Sequence, residues 1–312
     1  MKKYCITGVN GYIGSLLAKK FLGENIQFIG IDMQADHGNY EFPYHQVNIR
    51  DKEKLTDFFK NEKVDVLVHL AAYSAPEGDE ELAYNTNVKG SENIMAAAKE
   101  GGLKRVVLTS SAAAYGSHPD NPVPMTEEHP LRANDNYYYS LHKKEQELAV
   151  RDFLDKNPKI SYMILRLCIV LGKHINNPTG VFLKSPILMN PSNSLDTPVQ
   201  FIHENDVVEV LYLAAKSTKS AIMNVAPDET TSVREMAKKT GKILLKAPFG
   251  LMFFVANLIK ALRLSPVGGK SLSFTMNPVV LDTTLLKKTL PFKPKYKSIE
   301  VLIDYLDSIK KK

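Results

Sequence analysis

Gly8-Val9-Asn10-Gly11-Tyr12-Ile13-Gly14 lies between an apolar run, Tyr4-Cys5-Ile6-Thr7, and a helical pattern of Ile13, Leu16, Leu17 and Phe21. The order is strand, glycine turn, helix. Glycine lacks a Cβ, so the backbone can turn sharply and a pyrophosphate can approach it closely. The helix behind the turn aims its free N–H groups and positive dipole end at the same anion. A second strand, Gln27-Phe28-Ile29-Gly30-Ile31-Asp32, ends in an acid 18 residues past Gly14. That is near the ~20-residue spacing at which a carboxylate accepts hydrogen bonds from an adenosine ribose. The pattern predicts a dinucleotide site touched by Gly8, Asn10, Gly11, Tyr12, Ile13, Gly14 and Asp32.

Outward from this turn, strand and helix patterns alternate. Tyr44–Asn48, Val64–Leu70, Arg105–Ser110, Ser161–Leu167 and Ile222–Val225 read as strands. Helices are expected over Asp51–Phe59, Leu82–Lys99, Tyr139–Phe153 and Asp206–Lys216. Such alternation predicts an α/β fold, a Rossmann-type doubly wound parallel sheet with ligands at the carboxyl ends of its strands. Residues 1–170 are expected to form the dinucleotide domain, with the chain returning to it at about 199–225. Residues 171–198 and 226–312 are expected to form a smaller cap that binds substrate. Pro178, Gly180, Pro186, Pro191 and Pro198 punctuate its first part, and Pro266-Val267-Gly268-Gly269 breaks its helical end.

Composition narrows the class. Hydrophobic residues at 44% and charged residues at 24% of 312 are ordinary for a globular chain with a sizeable core. The two cysteines, Cys5 and Cys168, lie in apolar runs and read as buried thiols, not as disulfide partners or metal ligands. A reducing cytoplasm and no metal are therefore expected. The first strand begins within three residues of Met1, which leaves no room for a signal peptide. Charge is uneven: residues 242–312 hold 13 Lys/Arg against 4 Asp/Glu, leaving 27 against 30 for residues 1–241. A solvated helical surface ending in Lys310-Lys311-Lys312 accounts for most such tails, so no nucleic-acid partner is expected. Phe249–Ile259 is almost wholly apolar but far shorter than the ~20 residues that span a bilayer. A buried helix or a lid over an apolar substrate is expected there. Peripheral membrane contact is a lesser alternative, since Lys246, Lys260 and Arg263 flank the segment.

Tyr139 and Lys143 stand four apart on a helix and so share one face. An unperturbed tyrosine titrates near ~10, and a neighbouring ammonium favours its phenolate, which suits acid–base work. Ser111, at a strand end, can hydrogen-bond the same substrate oxygen. Tyr137 and Tyr138 leave the register open on spacing alone, but Tyr138 has His142 at the fourth position, where Tyr139 has Lys143.

With these residues the chain resembles the extended short-chain dehydrogenases/reductases, the NAD-dependent epimerase/dehydratase family. The resemblance runs nearly end to end. It comprises Thr7–Gly14, His69-Leu70-Ala71-Ala72, Asn87–Asn93, Ser110–Gly116 and Tyr139-Ser140-Leu141-His142-Lys143 with Glu147 beyond. Later pieces are Leu165-Arg166 to Gly172, Phe201–Val207, and Asp282-Thr283-Thr284 leading to Leu290–Pro294. The resemblance implies an NAD-dependent enzyme with Ser111, Tyr139 and Lys143 as catalytic residues. Tyr139 moves the proton of a substrate hydroxyl or carbonyl, Lys143 lowers the tyrosine's pKa and holds the nicotinamide ribose, and Ser111 polarises the reacting oxygen. Asn48 and Ile49 fall where the family contacts adenine, with Asn48 in place of the usual aspartate. Leu70, Ala71, Ala72 and Asn87 complete the implied cofactor contacts. Asp32 repels a 2′-phosphate and favours NAD over NADP. A homodimer through the helices at 82–99 and 139–153 is implied as well.

Departures bear on the substrate. Ala112 and Ala113 stand where sugar-nucleotide dehydratases of the family carry Asp-Glu. Ile169 stands for an asparagine, and Val199-Gln200 for an arginine, that contact the diphosphate in sugar-nucleotide epimerases. The expected function is hydride transfer at a secondary alcohol or ketone of a small molecule. A UDP-sugar 4-epimerase is the alternative, and a non-catalytic NAD-binding sensor a further one. His69, His203 and Asp206 are expected to be structural, Asp206 as a helix cap. Asn87 is open to bracing Lys143, and Arg166 to scaffolding or substrate contact.

Overall fold

The computed structural model describes residues 2–36, 38–74, 78–175, 180, 183–190, 194–262 and 268–310. Pro178, Pro191, Arg263, Pro266, Val267, Lys311 and Lys312, singled out above, lie outside the described residues. Strands β1 (Tyr4–Thr7), β2 (Phe28–Asp32), β3 (Tyr44–Gln46), β4 (Val66–His69), β5 (Arg105–Ser111) and β6 (Ser161–Leu167) are joined by helices. These are α1 (Tyr12–Gly23), α2 (Lys52–Glu62), α3 (Glu80–Tyr84), α4 (Gly90–Glu100) and α5 (Tyr138–Asp155). Beyond them come β7 (Ile169–Leu171), β8 (Ile187–Asn190), β9 (Pro198–Val199), β10 (Phe201–His203), α6 (Glu204–Lys216) and β11 (Ala221–Val225). The last part holds β12 (Thr231–Ser232), α7 (Val233–Thr240), β13 (Ile243–Lys246), α8 (Phe249–Ala261), α9 (Gly269–Ser273), α10 (Thr284–Thr289) and α11 (Ser298–Lys310).

Seven parallel strands make the central sheet in the order β11-β6-β5-β4-β1-β2-β3. Strand sequences read as unbroken apolar runs because both sheet faces are covered. Tyr4, Ile6, Val66, Val68, Met163 and Leu165 pack on one side with Leu17 and Phe21 of α1 and Val207 and Leu211 of α6. Cys5, Leu67, Val106, Leu108 and Ile164 alternate to the other side, against Leu55 and Phe59 of α2, Ile94 and Met95 of α4, and Val150 and Leu154 of α5. Strand order reverses between β1 and β4, which opens a crevice at their carboxyl ends.

The remaining strands pair off in two-stranded sheets, β7 with β10, β9 with β12, and β8 with β13. Leu171, Phe201, Met236, Val301, Leu302 and Tyr305 form a second core there.

Three local readings are corrected. The third strand stops at Gln46 because Asn48 turns the chain, its carbonyl accepting from Asp51 N at 2.9 Å and its Oδ1 from Arg50 N at 3.0 Å. The helix expected over 82–99 is interrupted by a π-turn, Asn85–Lys89, between α3 and α4. His203, not Asp206, caps α6, its Nδ1 accepting from Asn205 N at 3.1 Å; Asp206 is buried and accepts from Lys295 N at 3.0 Å.

Candidate active site

The glycine turn lies in the β1–β4 crevice. Gly8 has φ +66°, in the left-handed region that suits glycine, and a Cβ there would stand 2.8 Å from the Ala71 backbone. A Cβ on Gly14 would lie 2.0 Å from the Gly8 carbonyl oxygen, so α1 starts hard against the turn. No side chain caps α1 and its first turn holds no acid, which leaves its amide groups facing the crevice for an anion. Asp32 ends β2 beside them, nearly buried, with Oδ2 accepting from Asn10 N at 3.1 Å and Oδ1 from Gln34 N at 3.2 Å. Its carboxylate and burial push the Tyr44 phenol up to about 12, burial being the larger cause. Asn10 Oδ1 accepts from Tyr40, whose ring stacks on Tyr44 at 4.3 Å. A turn closed to side chains, an uncapped helix start and an acid at the neighbouring strand end fit a dinucleotide.

The other expected cofactor contacts divide. Leu70 and Ala71 leave β4 with both N–H groups donating to Thr7 Oγ1, at 3.1 and 3.0 Å, and Ala72 follows at the surface. Asn87 sits in the π-turn, where Oδ1 accepts from Tyr73 N at 2.8 Å and Nδ2 donates to Tyr73 O at 3.0 Å. It braces the β4 loop and makes no hydrogen bond to Lys143. Ile49 is buried in the α2–α4 core, while Asn48 stays partly exposed. Tyr12 turns its hydroxyl to Glu204 at 2.6 Å, so it is the residue's backbone that faces the crevice. Burial and Glu204 both push that phenol up.

Ser111 and Tyr139 meet at the end of β5. Ser111 Oγ accepts from Ala113 N at 3.1 Å, and the Ser111 hydroxyl stands near enough to Tyr139 to pull its pKa down. Ser140 fastens the start of α5 to this turn by donating to Ala113 O at 2.5 Å. Tyr138 points away, its hydroxyl accepting from Gly78 N at 2.7 Å. Burial raises the Tyr139 pKa, and the neighbouring Ser111 hydroxyl offsets only part of the rise. The phenol therefore keeps its proton at neutral pH.

Lys143, one turn along α5, is 5% exposed. Its ammonium donates to Thr109 O at 3.1 Å and to Gln146 Oε1 at 3.0 Å, which accounts for two of its three N–H groups. Burial pushes it down to about 8 against the opposing pull of Glu147. From Gln146 a buried chain of hydrogen bonds runs to the glycine turn. Gln146 Nε2 donates to Ser91 Oγ at 2.8 Å, and Ser91 Oγ donates to Asn87 O at 2.6 Å. With the Ser91 proton so used, His69 Nε2 donates to Ser91 Oγ at 2.9 Å, and Nδ1 accepts from Thr7 Oγ1 at 2.8 Å. Burial, aided by the Lys143 charge, lowers the His69 pKa to about 3, so it stays neutral in this tautomer. Gln146 was legible only as the third residue after Lys143, on the same helix face; the role of Ser91 carried no signal in the sequence.

Below the site, Arg166 is scaffolding. It is 1% exposed, paired with the wholly buried Glu147 at 2.5 Å, and donates to the Tyr115 hydroxyl at 2.6 Å. Gln200 is likewise occupied, with Nε2 donating to Pro227 O and Leu281 O and Oε1 accepting from Leu281 N. Ile169 is 41% exposed. Among the described residues no group of three His, Cys, Asp or Glu could hold a metal ion.

Comparison with known proteins gives a consistent picture. The model of the NAD dependent epimerase/dehydratase family matches residues 4–226. A UDP-glucose 4-epimerase of Lactobacillus helveticus is 24% identical over 341 residues, covering 96% of this chain and 94% of its own. A Mycobacterium bovis protein of uncharacterized function is 26% identical over 305 residues, covering 95% of this chain and 80% of its own. The structure of Thermus thermophilus UDP-glucose 4-epimerase in complex with NAD superposes with TM-score 0.77 at 21% identity, over 99% of each chain.

Proposed function

The chain belongs to the NAD-dependent epimerase/dehydratase family, whose cofactor is NAD, and within it we propose hydride transfer at a carbon bearing a secondary alcohol or ketone. The observation that carries this reading is the placing of Tyr139 beside Ser111 at the end of β5, with the buried Lys143 one turn away. NAD, when bound, supplies the hydride acceptor, and NADH the donor. The amides of Tyr12, Ile13 and Gly14 would hold the pyrophosphate, Gly11 shaping the turn with its own N–H donated to Gly8 O at 2.9 Å, while Asp32 would hold the adenosine ribose, and Asn48 and Ile49 the adenine. Leu70, Ala71 and Ala72 would line the bound cofactor, with Asn87 bracing the loop that carries them. The third Lys143 N–H would take the nicotinamide ribose. Tyr139 would give its proton to a ketone oxygen, or take one from an alcohol, while Ser111 holds that oxygen in line. Substrate would lie between the sheet and the units built from 171–198 and 226–312. A homodimer through α4 and α5 and a cytoplasmic location go with this reading, on the family resemblance and on the buried free thiols of Cys5 and Cys168.

A second reading has support of its own. The full-length likeness to UDP-glucose 4-epimerases favours a reaction in which hydride returns to the opposite face of the same carbon. Against it stand Gln200, whose amide is consumed within the fold, and the apolar Ile169. Absorbance of reduced cofactor separates the two. With a panel of secondary alcohols and NAD, net NADH formation is expected; conversion of a UDP-sugar without net NADH would replace this reading by the epimerase.

A further inference from the structure

The apolar segment 249–259 has no part in the chemistry above. It forms α8, a 13-residue helix too short to cross a bilayer. One side of α8 packs on α9, where Met252, Ala256 and Leu272 make a small core of their own with Ala247 and Phe249 at its edge. Gly269 abuts the Phe253 ring, which a Cβ there would strike, and its N–H donates to Asn257 Oδ1 at 2.9 Å. With that inner side fixed, helical periodicity turns Leu251, Phe254, Leu258 and Leu262 outward. They are 56%, 65%, 48% and 61% exposed. Large apolar side chains at i, i+3, i+7 and i+11 form one stripe, unlike the scattered apolar residues of an ordinary surface. Ile243 and Leu245 on the preceding strand β13 are exposed too.

Charge says what such a stripe meets. From Met236 to Leu281, 46 residues carry seven Lys/Arg and no Asp or Glu, whereas residues 1–241 mix both signs almost evenly. An apolar face in a stretch of chain whose only charges are cationic suits an anionic lipid surface, with leucine and phenylalanine entering the acyl boundary and lysine meeting headgroups. A second copy would set the same basic frame against itself, with like charges opposed.

We propose that α8 is a docking helix that lays this chain on an anionic lipid bilayer. The hairpin that docks also adjoins the candidate active site. Phe274, directly after α9, packs its ring 5.4 Å from that of Tyr137, which is 6.0 Å from Tyr139. The segment that follows α9 and the start of α5 are thus in contact through aromatic rings, on the side away from the exposed stripe.

The test is flotation of the full-length protein with vesicles of phosphatidylcholine alone, or with about one quarter phosphatidylglycerol. The protein is expected to float with the anionic vesicles and stay behind with the neutral ones. Raising salt from about 0.1 M to about 0.5 M weakens the binding severalfold. The double substitution Phe254→Glu, Leu258→Glu alters only exposed positions, and should lower the bound fraction about tenfold or more with thermal unfolding and NAD affinity unchanged. Flotation that ignores vesicle charge, or a variant that floats like the wild type, overturns the proposal. So does a wild-type dimer that this substitution splits, because the stripe would then be covered by a second copy.

Discussion

Tyr139→Phe is expected to lower turnover about a thousandfold and leave NAD affinity within about twofold of wild type. The substitution removes one oxygen from a half-buried ring and keeps the rest of α5, including Ser140 and its bond to Ala113 O. The glycine turn and Asp32 lie on β1, α1 and β2, none of which touches the Tyr139 hydroxyl. A loss confined to kcat is the mark of an interaction needed only in the transition state. Ser111 would still hold the substrate oxygen, which is why a residual rate is expected. Equal losses in kcat and NAD affinity, or full activity, would move the proton transfer to another group.

Glu147→Ala is expected to destabilise the fold by about 3–5 kcal/mol, read from urea unfolding. Glu147 is wholly buried and accepts from Ser110 Oγ at 2.6 Å and from Arg166 Nε at 3.1 Å and Nη2 at 2.5 Å. Removing it leaves the Arg166 guanidinium charged, 1% exposed and short of its carboxylate. Replacing both partners with apolar residues of like volume, Glu147→Met with Arg166→Met, should recover much of the loss, because no unpaired charge then remains. Equal destabilisation by the single and double variants would show that packing, not charge, holds this region. Glu147 also opposes the burial that lowers Lys143, so the alanine variant should shift the Lys143 pKa further down.

Much of this architecture is legible in the sequence, for reasons that differ between elements. The strands of the sheet are buried on both faces, so they announce themselves as short apolar runs, and Gly8 to Gly14 and Asp32 follow from the needs of one tight turn. Three tyrosines in a row hide which one lies beside Ser111; the i+4 spacing to Lys143 points to Tyr139, whereas Tyr138 is the more buried and turns to Gly78 N. What the sequence conceals is long-range polar pairing. Tyr12 with Glu204, 192 positions apart, and His69 with Ser91 depend on how loops close over the strand ends. The π-turn at Asn85–Lys89 is equally hidden, since it arises where the Asn87 amide is drawn to the Tyr73 backbone. The apolar helix α8 was readable as a segment but not as a surface. Its burial depends on α9, which covers only one side.

Hydride transfer at the Tyr139 site is tested most directly by isotope. With NADH deuterated at the transferable C4 position and a ketone that the wild-type enzyme reduces, deuterium is predicted on the carbinol carbon of the product. Product formed in D2O with unlabelled NADH should carry none there. A product whose carbinol hydrogen comes from solvent, or formed without loss of the cofactor's label, would contradict hydride transfer at this site.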